Sequence, residues 1–247
     1  MKILGIIPAR YNSTRFPGKP LVEIGGKTMI EHVWNGVKNT GLVDHVVVAT
    51  EDKRIMETVA GFGGEAIMTG KQHKSGTDRC GEAITKLQED VSNFDVIINI
   101  QGDEPKVAAE HLKLVAQAFE DPNVQIATLK KRISNLAELN STNTVKVVCD
   151  KNNDALYFSR QPLPYMRGIA KEMWLHMRRA SYYKHIGIYA FRREVLQDVV
   201  QLPQTPLEKC ESLEQLRWME NGYRIRVLET TKESVAIDIP EDLQKLK

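Results

Sequence analysis

The chain has 247 residues, 42% of them hydrophobic, enough to enclose one large α/β core. Its 34 basic and 32 acidic residues leave a formal charge of +2, which excludes nucleic-acid or membrane binding driven by net charge. The three cysteines, Cys80, Cys149 and Cys210, are odd in number and widely spaced, which excludes a disulfide framework or a zinc motif and favours a reduced compartment.

Ile3 to Ile7 is a short apolar run rich in β-branched residues, the pattern of a buried strand. It breaks at Pro8, too early for a signal-peptide core or a membrane span, so a cytoplasmic location is expected. The loop that follows sets Arg10, Arg15 and Lys19 among Asn12, Ser13, Thr14, Pro17 and Gly18, cations within turn chemistry. At the carboxyl end of a first strand such a loop can wrap a polyphosphate, although taken alone it also reads as solvated surface. It matches neither G-x-x-x-x-G-K-S/T nor G-x-G-x-x-G, so side-chain cations would have to do much of the holding.

Met29, Ile30, Val33, Trp34 and Val37 recur at helical spacing. Val46 to Ala49 reads as a strand, and Thr50-Glu51-Asp52 caps a helix that turns Ile55, Val59 and Phe62 inward before Gly63-Gly64 stops it. The rhythm repeats with a strand over Ala66 to Met68, a helix over Thr77 to Glu89 and a strand over Val96 to Ile100. A helix near 108–119, a strand near 125–130 and β-rich runs at Val145 to Cys149 and Ala155 to Phe158 follow. Alternating strands and helices, with strands apolar throughout, predict a doubly wound, mostly parallel α/β sheet covered on both faces, in one domain spanning 1–247.

Residues 161–183 lose that rhythm, mixing Pro162 and Pro164 with aromatics and Arg167, Lys171, Arg178 and Arg179, and read as a flap or dimer arm. Exposed Trp174, Tyr182 and Tyr183 would be unusual on a solvated loop. A strand over Ile186 to Phe191, one helix over Leu207 to Met219, a strand over Ile225 to Leu228 and a helix after Pro240 complete the chain.

Four places can carry chemistry. Gln101, Gly102, Asp103 and Glu104 end an apolar strand, where carboxylates at the sheet edge offer oxygen ligands to a hard cation such as Mg²⁺, or merely cap a turn. Asp238 ends a second apolar run, and either joins Asp103 on a metal or begins the last helix. Ser75, Gly76 and Thr77 open a helix whose free N–H groups could meet a base or phosphate, with Asp78 and Arg79 readable as a surface pair. Arg160 follows a strand and could grip a carboxylate. His185 alone reads as structural, and Glu214 with Gln215 as a polar pair on a helix.

Together the stretches IIPARYNSTRFPGKPL, MTGKQHKSGTDR, INIQGDEP, VKVVCDKNNDALYFSR, HIGIYAF, TPLEKCESLEQLR and IDIPEDL resemble the 3-deoxy-manno-octulosonate cytidylyltransferase (CMP-Kdo synthetase) family, in family order from residue 6 to 243. The resemblance implies a Rossmann-like nucleotidyltransferase, cytosolic, homodimeric and Mg²⁺-dependent, that makes CMP-Kdo and pyrophosphate from CTP and Kdo for lipopolysaccharide assembly. It implies that Arg10, Arg15 and Lys19 hold the CTP phosphates, with Ser75, Gly76 and Arg79 also on the nucleotide side. Asp103 and Asp238 match the metal carboxylates, and Gln101, Arg160, His185, Tyr189, Glu214 and Gln215 the sugar-acid positions. Lys19, Asp103 and Asp238 are then the catalytic set, with no nucleic-acid or membrane partner. The alternatives are a cytidylyltransferase for 8-amino-Kdo or a sialic acid, and a nucleotide-binding regulator without turnover. Where the family often has Asp-Thr-Pro, this chain has Asp238-Ile239-Pro240, which removes a Thr cap of about 1 kcal/mol and keeps the carboxylate.

Overall fold

The computed structural model describes residues 1–13, 15–87, 91–177 and 179–246. Thr14 of the basic loop, residues 88–90 at the end of the expected helix over Thr77 to Glu89, and Arg178 of the irregular stretch lie outside the described residues.

In chain order, β1 (Ile3–Ala9) leads through the basic loop to a small hairpin, β2 (Glu23–Ile24) and β3 (Lys27–Thr28), then α1 (Met29–Lys38), β4 (His45–Thr50), α2 (Lys53–Gly61), β5 (Glu65–Met68) and α3 (Gly76–Lys86). Next come β6 (Val96–Asn99), α4 (Ala109–Gln117), β7 (Ile126–Arg132), α5 (Leu136–Asn140) and the paired β8 (Lys146–Cys149) and β9 (Ala155–Ser159). The chain closes with β10 (Tyr183–Arg192), α6 (Arg193–Val199), α7 (Pro206–Glu211), α8 (Gln215–Glu220), β11 (Ile225–Glu229) and a 3₁₀ turn over Pro240–Leu246.

The main sheet runs β11-β7-β10-β6-β1-β4-β5, with β8 and β9 attached beside β10. Pairs β1–β4, β1–β6, β4–β5 and β11–β7 are parallel, while β10 runs antiparallel to both β6 and β7. The strands are apolar throughout because both faces are covered. Ile3, Ile7, Val46, Val48, Val96 and Ile98 pack with α1, α2 and α4, whereas Leu4, Ile6, Val47, Ala49 and Ile97 pack with α3, α6 and α8. Successive residues of one strand thus feed two cores, each fully buried aliphatic side chain stabilising by about 1.5–3 kcal/mol.

The long helix expected over Leu207 to Met219 is two short ones, α7 and α8. Ser212 breaks it in the left-handed conformation (φ 51°), which lets Leu213 drop into the core. Arg217 of α8 then holds Glu208 of α7 in a buried, two-pronged ion pair (Nε–Oε2 2.8 Å). The helix expected after Pro240 is that 3₁₀ turn, in which Asp242 Oδ2 accepts from the N–H groups of Asp238 (2.8 Å) and Ile239 (3.1 Å).

Residues 161–183 form a small satellite core. Trp174 (3% exposed) and Tyr182 (1% exposed) stack and join Ile133, Leu139 and Met166, so these aromatics are packed rather than free on a loop. Among the described residues no helix is long and apolar enough to cross a membrane.

Candidate active site

Parallel strands β1, β4 and β6 point their carboxyl ends at one edge, and the loops after β1, β5 and β6 meet there around a cleft of about 290 Å³. The approach is tight. A Cβ on Gly102 would sit 2.8 Å from the Pro8 carbonyl oxygen, so only glycine lets the β6 loop cross the end of β1 this closely. Gly18, at φ 72°, turns the basic loop back so that its N–H donates to the Tyr11 carbonyl (2.9 Å). Tyr11 is pinned in turn by its N–H to Glu51 Oε1 (3.1 Å) and by Arg54 stacked on its ring at 3.4 Å.

The cleft is lined by Arg10, Arg15, Lys19, Ser75, Gly76, Arg79, Gln101, Asp103 and Asp238. Lys19 sits at its focus, where Nζ donates to Asp103 Oδ2 (2.7 Å) and the Ile237 carbonyl (2.8 Å) and lies 3.8 Å from Asp238 Oδ1. Arg15 Nη2 reaches the same Asp238 oxygen at 3.1 Å. The tail that carries Asp238 is docked by the Ile237 N–H on the Asp103 carbonyl (2.9 Å). Arg10 is exposed and has no ion pair or hydrogen bond among the described residues. Two carboxylates thus converge on one cationic centre in a cation-lined cleft. That donor set is one Mg²⁺ accepts, one or two carboxylates with water and phosphate oxygens completing the shell. No group of three or more His, Cys, Asp or Glu able to hold a metal occurs among the described residues.

The start of α3, expected on the nucleotide side, is a full capping box. Ser75 Oγ accepts from Asp78 N (3.0 Å), and Asp78 Oδ2 accepts from Ser75 N (3.3 Å). Arg79 is not half of a surface pair with Asp78. It is buried, with Nη2 2.8 Å from Glu51 Oε2 and Nη1 on the Gly70 carbonyl (3.2 Å), and anchors the ends of β4 and β5 beneath the cleft. Burial lowers its pKa, opposed by Glu51.

Behind this lies the second group. Gln101 Nε2 donates to the Gly187 carbonyl (2.7 Å), at the register shift in β10 between Ile186 and Tyr189. Thr128 donates to the Ile188 carbonyl (2.7 Å), which makes its oxygen the acceptor for His185 Nε2 (2.9 Å) and assigns that ring the Nε2–H tautomer. Burial beside Phe158 and Tyr189 pushes His185 down to about 3, so it is neutral at physiological pH. Tyr189 packs edge-on against Trp218, and burial raises its hydroxyl well above the usual phenol range. Glu214 stands just before α8, half-buried with its carboxylate held by Ser75 and Thr77 rather than capping the helix, and Gln215, which begins α8, is 5% exposed, so they are not a surface helix pair.

Arg160 is not in the cleft lining. Its Nε, Nη1 and Nη2 donate to the carbonyls of Glu211 (2.7 Å), Thr142 (2.9 Å) and Ser212 (3.3 Å). Sequence reasoning missed Asn99, Thr77 and Thr128 as members of this group. The signal for Asn99 was available, a polar residue inside the apolar run Val96 to Ile100.

A parallel-edge cleft lined by cations around two carboxylates fits a nucleotidyltransferase, and the cytidylyltransferase family model, which matches residues 4–229, places the chain in that class. A 3-deoxy-manno-octulosonate cytidylyltransferase of Parabacteroides distasonis is 51% identical over 99% of this chain and 96% of its own, and that of Bacteroides thetaiotaomicron 53% identical over the same shares. A solved CMP:2-keto-3-deoxy-manno-octonic acid synthetase complexed with CTP is 44% identical, with a TM-score of 0.89 over 100% of this chain and 97% of that one. A 4-diphosphocytidyl-2C-methyl-D-erythritol synthase of Anaerococcus prevotii, 13% identical with a TM-score of 0.62, shares the fold alone. The chain belongs to the 3-deoxy-manno-octulosonate cytidylyltransferase family.

Proposed function

We propose that this chain transfers the cytidylyl group of CTP to the anomeric hydroxyl of Kdo, releasing pyrophosphate and forming CMP-Kdo for lipopolysaccharide assembly. The observation that carries the reading is the convergence of Lys19, Asp103 and Asp238, far apart in sequence, at one cleft beside Arg10 and Arg15. CTP brings about four negative charges and the sugar acid one more, so unscreened repulsion would oppose their encounter. Arg10, Arg15 and Lys19 neutralise the phosphates, and Lys19 stabilises the leaving pyrophosphate. Ser75 and Arg79 are already hydrogen-bonded within the protein, so on the nucleotide side they shape the wall around Gly76.

Asp103 and Asp238 would hold Mg²⁺, which when bound polarises the α-phosphate and lowers the pKa of the attacking hydroxyl. Gln101, Tyr189, Glu214 and Gln215 orient the sugar, and neutral His185 offers Nδ1 as an acceptor. Arg160 keeps one N–H on each terminal nitrogen for the acid's carboxylate, so it can dock that group without releasing its three carbonyls.

In the same reading residues 1–247 are one domain, 161–183 is its flap or dimer arm, and the enzyme works in the cytoplasm as a homodimer. Tyr165, 75% exposed above the packed Trp174 and Tyr182, supports the arm. The test is pyrophosphate release from CTP and Mg²⁺ with Kdo, 8-amino-Kdo or a sialic acid. Turnover is expected with Kdo; tight CTP binding without pyrophosphate under any acid would make the chain a nucleotide-binding regulator instead.

A further inference from the structure

Ser75 and Thr77, in the first turn of α3, both donate to one carboxylate more than 130 residues away: Ser75 Oγ to Glu214 Oε1 (2.7 Å) and Thr77 Oγ1 to Glu214 Oε2 (2.8 Å). A hydroxyl has one proton. Thr77 gives that proton to Glu214, and Asn99 Nδ2, donating to the Thr77 oxygen at 3.3 Å, fills a lone pair and so holds and polarises the hydroxyl toward the carboxylate. Asn99 is 3% exposed and its Oδ1 has no hydrogen-bond partner among the described residues, so the bond to Thr77 alone sets the amide's direction. A flipped amide would contest the Thr77 proton with Glu214. The charge-assisted bond to the carboxylate favours the arrangement observed.

Asn99 belongs to the strand that delivers Gln101 and Asp103, and Gly76, between the two hydroxyls, lines the nucleotide cleft. Three elements, β6, the start of α3 and the residue before α8, therefore meet through Asn99→Thr77→Glu214. We infer that Thr77, oriented by Asn99, is a positioning residue that fixes the sugar-side carboxylate Glu214 relative to the nucleotide wall. The inference rests on the proposed function for its link to the sugar acid, and on geometry alone for the relay itself.

Burial raises the Glu214 pKa and the two hydroxyls lower it. Its charged neighbours are Arg217, with Nη2 4.0 Å from Oε1, and Asp78; Tyr189 and the Cys80 thiol are the other titratable groups beside it. All of these stay in place in the variants below.

The experiment has two readouts. In the full-length enzyme, steady-state kinetics with CTP, Mg²⁺ and Kdo compare wild type with Thr77→Val, Thr77→Ser and Asn99→Leu. Thr77→Val is expected to raise KM for Kdo about tenfold, the loss of one charge-assisted bond, with KM for CTP changed less than about twofold. Thr77→Ser restores the hydroxyl and the wild-type KM, and Asn99→Leu shifts KM in the same direction by about threefold. Independently of turnover, ¹³C NMR titration of the Glu214 carboxyl is expected to move upward in Thr77→Val and Asn99→Leu, and to stay put in Thr85→Val on the exposed side of α3. An unmoved titration in Thr77→Val overturns the relay. An unmoved KM for Kdo with an active wild type overturns its role in sugar positioning. A wild type inactive on every sugar acid would overturn the proposed function, with the NMR readout still deciding the relay.

Discussion

The two halves of the site are built in opposite ways. On the proposed phosphate side, Lys19, Arg15, Asp103 and Asp238 are side chains near strand ends that meet as ion pairs partly open to solvent. On the proposed sugar side, Glu214 and Asn99 are joined through the Thr77 hydroxyl and Thr128 is joined to His185, all of them buried or half-buried. In the first arrangement a ligand's charges can replace the protein's own pairings. The second is rigid before any ligand arrives, so substitutions there disturb orientation and stability together.

The comparison is tested most severely at Asp103. Asp103→Asn keeps the shape and the carbonyl that receives the Ile237 N–H, so the fold is expected to survive with Tm nearly unchanged. Turnover is expected to fall by about 10³ or more, since in the proposed function Asp103 is one of the two carboxylates that would hold the metal. Near wild-type pyrophosphate release would sink the metal assignment.

Lys19→Met is the next largest. Its rate is expected to drop by about 10² to 10³ through loss of leaving-group stabilisation. The same variant sharpens the contrast, because the ammonium stands between the two carboxylates and competes with a divalent ion for them. Calorimetric titration with Mg²⁺ alone, without nucleotide, should therefore show tighter binding in Lys19→Met than in wild type. Weaker binding would mean that Lys19 orders the carboxylates rather than competing for them.

The sugar side predicts a pH effect on stability instead. His185 is held down to about 3 in the folded chain, against about 6.5 for an unperturbed histidine. Between those values the unfolded chain binds the proton and the folded chain does not. The contribution is thus fully present above pH ~6.5 and lost as pH falls toward ~3, by at most about 1.4 kcal/mol per unit. Denaturant midpoints from pH 7.5 to 5 should fall more steeply for wild type than for His185→Gln. Parallel profiles would place the His185 proton in solvent contact.

The phosphate side was the more legible half in the sequence, for the same physical reason. Its residues sit in local punctuation, a strand breaking into cations, turn residues and acids, so Arg10, Lys19 and Asp103 could be found one stretch at a time. Pairings were not local. That Arg79 answers Glu51, or that Glu214 answers Ser75 and Thr77, depends on contacts between elements far apart in the chain. The direction of β10 was hidden likewise, because an apolar strand buried on both faces looks the same parallel or antiparallel. The break at Ser212 defied propensity, since tertiary packing of Leu213 and the Glu208–Arg217 pair overrides helix continuity. The β2–β3 hairpin was written plainly as Gly25-Gly26, both at positive φ, and went unread.

The smallest effect tests how the phosphate-side carboxylates are aimed. Ile239 stands where the sequence resemblance leads one to expect Thr, yet Asp242 Oδ2 already accepts from the N–H groups of Asp238 and Ile239. Ile239→Thr therefore offers a second acceptor where one is in place, and its effect on stability should be a few tenths of a kcal/mol at most. Asp242→Ala removes the acceptor itself and should cost about 1 kcal/mol. Because that turn aims Asp238, Asp242→Ala should also raise the Mg²⁺ concentration needed for half-maximal rate, with KM for Kdo unmoved. A change in KM for Kdo of the same size would show that the two halves share this turn, and the separation between an exchangeable charge cluster and a prebuilt polar network would fail at its narrowest point.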